Sequence, residues 1–213
     1  MTKENMRVHE ALVELKTLDK RIEDAITDTD WVLANKHSNT KIGGIEVKDY
    51  VEEVKSRYQK VRDLIRRRDA IKRAVVASNA ATKVTVAGVE YTVAEAIDRK
   101  NHGILLLNKL MKNLARDYTT AKRMADVENG QSLESRADQY VRSLIGNTDV
   151  KGMTAEIKKM RDDFIAAQTT ELLDPIGAQK EIERMEEEIT TFMSQVDSAL
   201  SVSNAITVIE VNY

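Results

Sequence analysis

Apolar residues recur at alternating steps of three and four along most of this 213-residue chain. That spacing places apolar side chains on one stripe of an α-helix. The chain also has one proline and eight glycines, so few residues interrupt the stripes. Helices are predicted at about residues 8–28, 47–75, 93–127, 133–145, 154–173 and 176–201. The pattern therefore predicts a mainly α fold of long antiparallel amphipathic helices, arranged as helical hairpins or a bundle.

The period changes at residue 83, where apolar and polar residues begin to alternate. Alternation with β-branched residues is typical of a strand, and Gly88 supplies the positive φ that a tight turn requires. Residues 83–93 are therefore predicted to form a β-hairpin. The same alternation at residues 205–212 predicts a C-terminal strand. Because a lone hairpin is marginal in water, we expect this strand to pair with the 83–93 hairpin, in the same chain or in a neighbour.

The sequence Thr92-Val93-Ala94-Glu95 is typical of a capping box, in which a hydroxyl and a carboxylate satisfy amide groups at the start of a helix. The helix that begins there contains Gly103, which predicts a close helix crossing. Two domains follow from this organisation: a helical hairpin core with the β-hairpin at 1–127, and a helical extension at 128–213. The two parts can also pack as one domain.

Composition excludes several classes of function. The chain has no cysteine, which removes disulfides, thiolate catalysis and iron–sulfur ligation. Its 33 basic and 35 acidic residues do not give the strongly basic balance of a general nucleic-acid coat. No apolar run approaches the roughly 18 residues of a membrane span, and the polar N-terminus is unlike a signal peptide. We therefore expect a cytoplasmic protein without membrane contact, located in the host cytoplasm if the chain is phage-encoded.

Catalytic motifs are missing from the sequence. It has no nucleophile motif, Walker loop or dinucleotide-binding glycine pattern. The histidines lie far apart, and only His9 beside Glu10 and His102 four residues after Asp98 have a neighbouring carboxylate. Such histidines are more often surface residues than metal ligands. The acidic residues between 181 and 188 follow a solvent-facing helix stripe. The sequence therefore predicts no catalytic residue, no metal site and no cofactor.

Cations concentrate at residues 66–73, near the end of the second helix. Arg68 and Lys72 are four residues apart and share one helix face with apolar residues. A cation on an apolar stripe must be paired or ligand-bound, because an unpaired buried charge is very costly. One alternative is therefore that Arg68 pairs with a carboxylate such as Asp69 or Asp98 and fixes the register between helices.

The other alternative is a ligand site. The hairpin folds the second and third helices back together, so cations from both can converge on one cleft. Bidentate guanidinium groups and an aromatic stacking face suit a small anionic, nucleotide-like ligand. The candidate residues of this site are Arg68, Lys72, Asn79, Tyr91, Arg99, Lys100 and Asn101.

Three stretches carry a resemblance to a known family: residues 64–68 (LIRRR), residues 78–82 (SNAAT) followed by Gly88, and residues 91–100 (YTVAEAIDRK). Together they resemble the septicolysin-like family of small bacterial proteins, which are usually of unassigned function. The resemblance covers residues 5–118 and implies a helix, a hairpin glycine and a capped helix start. Arg99-Lys100 stands where that family tends to have Arg-Asp. Charged helical chains with little proline are also common in bacteriophage genomes, which leaves a phage source open.

Two functions are favoured by these patterns. The first is a non-enzymatic, oligomeric binding protein that sequesters a small anionic, nucleotide-like ligand or binds a host protein. The second is a structural assembly protein of a phage virion or tail, in which the C-terminal strand adds to a neighbour's sheet. A hydrolase is the least favoured function. Because the helices have strongly apolar stripes, a homo-oligomer is expected in either of the first two cases.

Overall fold

The computed structural model describes residues 3–146 and 154–213. Its helices are α1 (Val8–Thr27), α2 (Val47–Ala81), α3 (Val93–Asp98), α4 (Ile104–Asn129), α5 (Gln131–Ile145), α6 (Ala155–Gln168) and α7 (Ala178–Ile206). Its strands are β1 (Lys3–Arg7), β2 (Lys41–Ile42), β3 (Ile45–Glu46), β4 (Lys83–Val86), β5 (Val89–Thr92) and β6 (Val208–Asn212). A π-helical turn, Arg99–Gly103, joins α3 to α4. The mainly α fold class with small antiparallel sheets is therefore confirmed.

The C-terminal strand pairs with the N-terminal strand. Among the described residues, β6 pairs with β1, while β4 pairs only with β5, so the expected pairing of the tail with the 83–93 hairpin of the same chain is wrong. Pairing with the hairpin of a neighbouring chain stays a prediction. The register runs from Lys3 opposite Asn212 to Arg7 opposite Val208. The sequence of β1, KENMR, has only one apolar residue, and the strand forms because β6 supplies a partner from the far end of the chain.

The β1–β6 sheet packs one face against the helix pair α1 and α2. Met6, Ile209 and Val211 are buried there, while the alternate residues of both strands point outward. The helices complete this core with Val8, Ala11, Leu15, Leu18 and Ile22 of α1 and with Ala70, Ile71 and Val75 of α2. The apolar stripes of the first two predicted helices therefore face each other beneath the sheet.

The chain divides into two compact units. Unit 1 contains the chain up to His102 together with Thr191–Tyr213, and unit 2 contains Gly103–Thr190. The predicted boundary between 127 and 128 is not where this division falls. The reason is that the last part of α7 and strand β6 return to the N-terminal core, which the order of elements along the chain does not reveal.

The β4–β5 hairpin has the turn that its sequence predicts. Ala87 and Gly88 have φ angles of 52° and 78°, the pair of left-handed residues found in a type I′ hairpin turn. The capping box that follows is also present. The Thr92 amide donates to Glu95 Oε2 at 2.7 Å, and the Glu95 amide donates to Thr92 Oγ1 at 3.1 Å. Strand β5 therefore passes directly into α3.

The helix predicted from 93 to 127 is interrupted by the π-helical turn. Such turns insert an extra residue into a helix. Gly103 ends the turn with an ordinary right-handed φ of −58°. The helix crossing predicted at Gly103 stays a prediction.

Unit 2 is built from α4, α5, α6 and the first part of α7. Tyr140 of α5 and Phe164 of α6 stack with their ring centroids 4.6 Å apart. Arg161 of α6 donates to Asp138 at 2.8 Å and also pairs with Glu134, so the same two helices are joined by charge. Helix α6 itself has no buried residue. None of the described helices combines the length and the apolar character that a membrane crossing requires.

Candidate functional site

Arg67 is the inward-facing member of the cation run on α2. Its guanidinium donates to Glu14 Oε1 at 2.5 Å and pairs with Glu4 at 3.0 Å. It also lies over the ring of Tyr213, with 4.7 Å between the guanidinium carbon and the ring centroid, and it donates to the Tyr213 hydroxyl. One cation of α2 therefore joins β1, α1 and the residue that follows β6.

Charge and burial together explain this arrangement. The Arg67 side chain is only 23% exposed, so it needs partners inside the protein. The hydrogen bond from Arg67 to Glu14, aided by the negative charges of Glu14 and Glu4, raises the pKa of Arg67 above its usual range despite partial burial. We conclude that the cluster of Arg67, Glu4, Glu14 and Tyr213 is an ion-pair network that holds unit 1 together.

Arg68, one of the predicted site residues, lies at the edge of the same helix pair. It donates to Asp19 Oδ1 of α1 at 2.6 Å and to Asp69 Oδ1 at 3.2 Å, and these hydrogen bonds raise its pKa. Of the two carboxylates considered from the sequence, Asp69 is a partner of Arg68, whereas Asp98 pairs with His102 at 2.8 Å. Arg68 therefore links α2 to α1 at the protein surface.

Tyr91 and Arg99 lie together at the hairpin end of α2. The Tyr91 ring meets Phe192 of α7 edge-on, with the ring centroids 5.9 Å apart. The guanidinium carbon of Arg99 lies 5.8 Å from the Tyr91 centroid and 5.4 Å from the Phe192 centroid. Lys100 pairs with Asp197 of α7 at 2.5 Å. Three of the predicted site residues therefore face the last part of α7.

The seven predicted site residues do not all lie together. Lys72 and Asn101 are exposed, and Asn79 is half-buried at the end of α2. Arg68 and Asn79 are separated by about 16 Å along the helix axis, at about 1.5 Å per residue. Arg68 therefore lies away from the hairpin end of α2, and a small ligand bound at the hairpin would not reach it, while Lys72 lies about 10.5 Å from Asn79 along the axis.

Sequence reasoning singled out Arg68 and missed Arg67, Phe192 and Asp197. Arg67 lies four residues before the buried Ile71, so helical spacing alone places it on the buried stripe, with Arg68 to one side. That signal could have found Arg67. Phe192 and Asp197 gave no such signal, because they meet the hairpin only through the return of α7 to unit 1.

An open cavity of about 760 Å³ adjoins the Arg67 network. Its lining includes Lys60, Arg66, Arg67 and Tyr213 but none of the seven predicted site residues. Arg66 pairs with Asp63 at 3.4 Å, and Arg67 is paired as described, so much of the positive charge is already compensated. Within residues 3–146 and 154–213, no group of three or more His, Asp or Glu side chains could hold a metal ion.

These features define a mainly helical protein whose charged clusters are engaged largely in contacts within the chain. Comparisons of the chain with family models, curated proteins and solved structures found no match. The resemblance of residues 5–118 to the septicolysin-like family therefore stays a prediction.

Proposed function

We propose that this protein is a non-enzymatic, homo-oligomeric binding protein whose subunits meet through helix α4. The observation that carries this proposal is the uncovered apolar surface of that helix. Of its 26 residues, only Ile104 and Ala125 are buried. Leu105, Leu106 and Leu110 are 61%, 69% and 58% exposed. An apolar helix face requires a partner to cover it, and a second copy of the same chain is the partner present wherever the protein is made.

Burial of this surface supplies a substantial part of the free energy that association requires. Full burial of one leucine side chain stabilises by about 1.5–3 kcal/mol. Leu106 and Leu110 are four residues apart on α4, so they share one face and one partner helix can cover both. A symmetric pair of subunits would bury these two leucines from each copy, and even partial burial would offset a substantial part of the entropy lost on association.

Unit 2 as a whole shows the same imbalance between covered and uncovered apolar side chains. Its large buried apolar residues in the described part are Ile104, Leu133, Val141 and Met185. Its exposed ones include Met124, Val127, Leu144, Met160 and Leu173 in addition to the three leucines of α4. Large exposed apolar side chains therefore outnumber large buried ones in the described part of unit 2. This excess supports a subunit interface on unit 2.

The ligand in this proposal is a small anionic, nucleotide-like molecule or a host protein. Its support is the group at the hairpin end of α2, where the guanidinium of Arg99 adjoins the Tyr91 ring. Such a pair can stack against a planar group and bind an anion. Positive charge there is already used within the chain, because Lys100 pairs with Asp197 and Arg99 also has a partner. Oligomerisation is therefore the better-supported half of the proposal.

A structural component of a phage virion or tail is the second candidate function. The β1–β6 sheet favours it, because each of its strands pairs only with the other within the described part of the chain. Each strand thus has one edge that can accept a strand from a neighbouring subunit. Repeated pairing of this kind would give a ring or a tube with many subunits.

The test is the mass of the protein in solution, measured by native mass spectrometry and light scattering. We expect a multiple of the 24.0 kDa chain mass. The double variant Leu106→Glu/Leu110→Glu should be a folded monomer, because it puts charge on the apolar face. The control variant Thr119→Glu/Thr120→Glu adds the same charge at exposed positions of the same helix and should stay oligomeric.

Either of two results would contradict the proposal: a wild-type chain that is monomeric at micromolar concentration, or two variants with the same oligomeric state. Far-ultraviolet circular dichroism of each variant confirms that the helices are intact. A large ring or tube that persists in the α4 variant but is lost when the β6 edge is blocked would favour the structural component instead.

A further inference from the structure

Unit 1 has an apolar cavity of about 510 Å³ between the end of α1 and the first half of α2. This volume lies within the range of about 300–1,000 Å³ that is common for small-molecule sites. Val54, Val61 and Ile65 of α2 and Ile26 of α1 form its floor. Ile26 is 46% exposed, so the chain leaves part of this floor open to water. An apolar group from a ligand would therefore gain free energy by covering it.

The wall of the cavity is aromatic and fixed in place. Trp31 and Tyr58 meet edge-on, with their ring centroids 6.2 Å apart and an angle of 82° between the rings. The Trp31 indole Nε1 donates to the Ile26 carbonyl at 3.0 Å. The Tyr50 hydroxyl donates to the Asp30 carbonyl at 2.6 Å, which ties the residue before Trp31 to α2. A preformed wall lowers the cost of ordering on binding.

Two cations, Lys55 and Arg62, also line the cavity. They are two helical turns apart on α2, so they lie on the same flank of the apolar stripe and about 10.5 Å apart along the axis. Neither has an ion pair or a hydrogen bond within residues 3–146 and 154–213. The residues that line the cavity include no carboxylate. The cavity therefore presents uncompensated positive charge next to an apolar floor.

From these features we propose that the cavity binds a small amphipathic organic anion. Its aromatic or branched apolar group lies against Trp31 and Tyr58, and its acidic group is bound by Lys55, Arg62 or both. A neutral ligand would leave both cations unused, and a cationic ligand would be repelled by them. This site is separate from the seven residues predicted from the sequence, and it does not depend on association through α4.

The single tryptophan of the chain makes the site measurable, since Trp31 lies in its wall. The probes are 8-anilinonaphthalene-1-sulfonate and its uncharged counterpart N-phenyl-1-naphthylamine, which lacks only the sulfonate. We expect saturable quenching of Trp31 emission by the sulfonate at low micromolar concentration. The double variant Lys55→Ala/Arg62→Ala should weaken sulfonate binding about tenfold or more, which corresponds to about 1.4 kcal/mol, because it removes the cations that bind the acidic group.

Two controls separate this site from general adsorption. The variant Lys48→Ala/Arg73→Ala removes two other exposed cations of the same helix and should bind both probes like the wild type. The Lys55→Ala/Arg62→Ala variant should bind the uncharged probe within about twofold of the wild type, because the apolar floor is retained.

The proposal is overturned if the sulfonate gives no saturable quenching, if both probes bind the wild type equally well, or if the two double variants weaken sulfonate binding equally. None of these outcomes depends on the oligomeric state, so failure of this site and failure of the α4 interface can be told apart.

Discussion

Replacing Arg67 with alanine is expected to destabilise unit 1 far more than replacing its neighbour Arg66. Arg67 forms ion pairs with Glu14 and Glu4 and donates a hydrogen bond to the Tyr213 hydroxyl, and its side chain is 23% exposed. Its removal leaves two carboxylates near each other without their cation. Arg66 is 62% exposed and has a single partner, Asp63, on the same helix. The two substitutions remove the same charge from adjacent positions, so Arg66→Ala is a matched control.

The expected magnitude follows from exposure. Removing one partner of a fully buried ion pair costs about 3–5 kcal/mol, whereas an exposed pair contributes about 0–1 kcal/mol. The Glu14 and Glu4 side chains are 29% and 40% exposed, so water compensates part of the loss. We therefore expect Arg67→Ala to lower the free energy of unfolding by about 2–3 kcal/mol. Arg66→Ala should lower it by less than about 0.5 kcal/mol.

Urea denaturation followed by Trp31 fluorescence measures this difference, because the only tryptophan lies in unit 1. A double-mutant cycle with Glu14→Ala should show that most of the Arg67 effect disappears when Glu14 is already absent. The reasoning is refuted if the two arginine variants lose the same free energy of unfolding. It is also refuted if Arg67→Ala unfolds within about 0.5 kcal/mol of the wild type at an unchanged denaturant slope.

Two further predictions concern the hairpin and its cap. The amide and hydroxyl of Thr92 donate to Glu95 and hold the pKa of that carboxylate below its usual range. The cap therefore stabilises the protein at neutral pH, and this stabilisation is lost as the pH falls through the lowered pKa of Glu95. In an NMR titration the chemical shift of the Thr92 amide should change at a pH below the usual glutamate pKa, and Glu95→Gln should abolish this change. A Thr92 amide whose chemical shift does not respond to acid would contradict the prediction. Gly88→Ala should destabilise by about 1 kcal/mol, because the new Cβ meets no atom within 4 Å and the cost comes only from the φ of 78°. Chemical denaturation measures it, and an alanine variant as stable as the wild type would count against the turn geometry.

Local features were the ones that the sequence predicted well. The hairpin turn at Gly88 and the capping box at Thr92 depend on residues within a few positions of each other, so their chemistry is visible in the order of residues. The apolar stripes of α1 and α2 were likewise predictable, because a helix repeats its own geometry. The fold class followed from these repeats.

Features that depend on distant parts of the chain were missed. Strand β1 has a single apolar residue, Met6, and exists because β6 pairs with it. Arg67 differs from β1 in this respect, because its inward direction follows from the local helix phase set by the buried Ile71 four residues later, a signal that the sequence contains. The contact between Phe192 and Tyr91 could not be predicted, because no local sequence pattern shows that the last part of α7 packs against the hairpin.

The discontinuous make-up of unit 1 has a consequence for how the protein forms during translation. Strand β1, the first two helices and the hairpin leave the ribosome early, but Phe192, Ile209 and Val211, which are buried in unit 1, are made after all of Gly103–Thr190. Domains tend to fold as units during synthesis, and contacts between distant segments form slowly. The apolar faces of α1 and α2 therefore stay partly uncovered until β6 has been synthesised. By then the whole of unit 2, which is a continuous stretch of chain, has already been made.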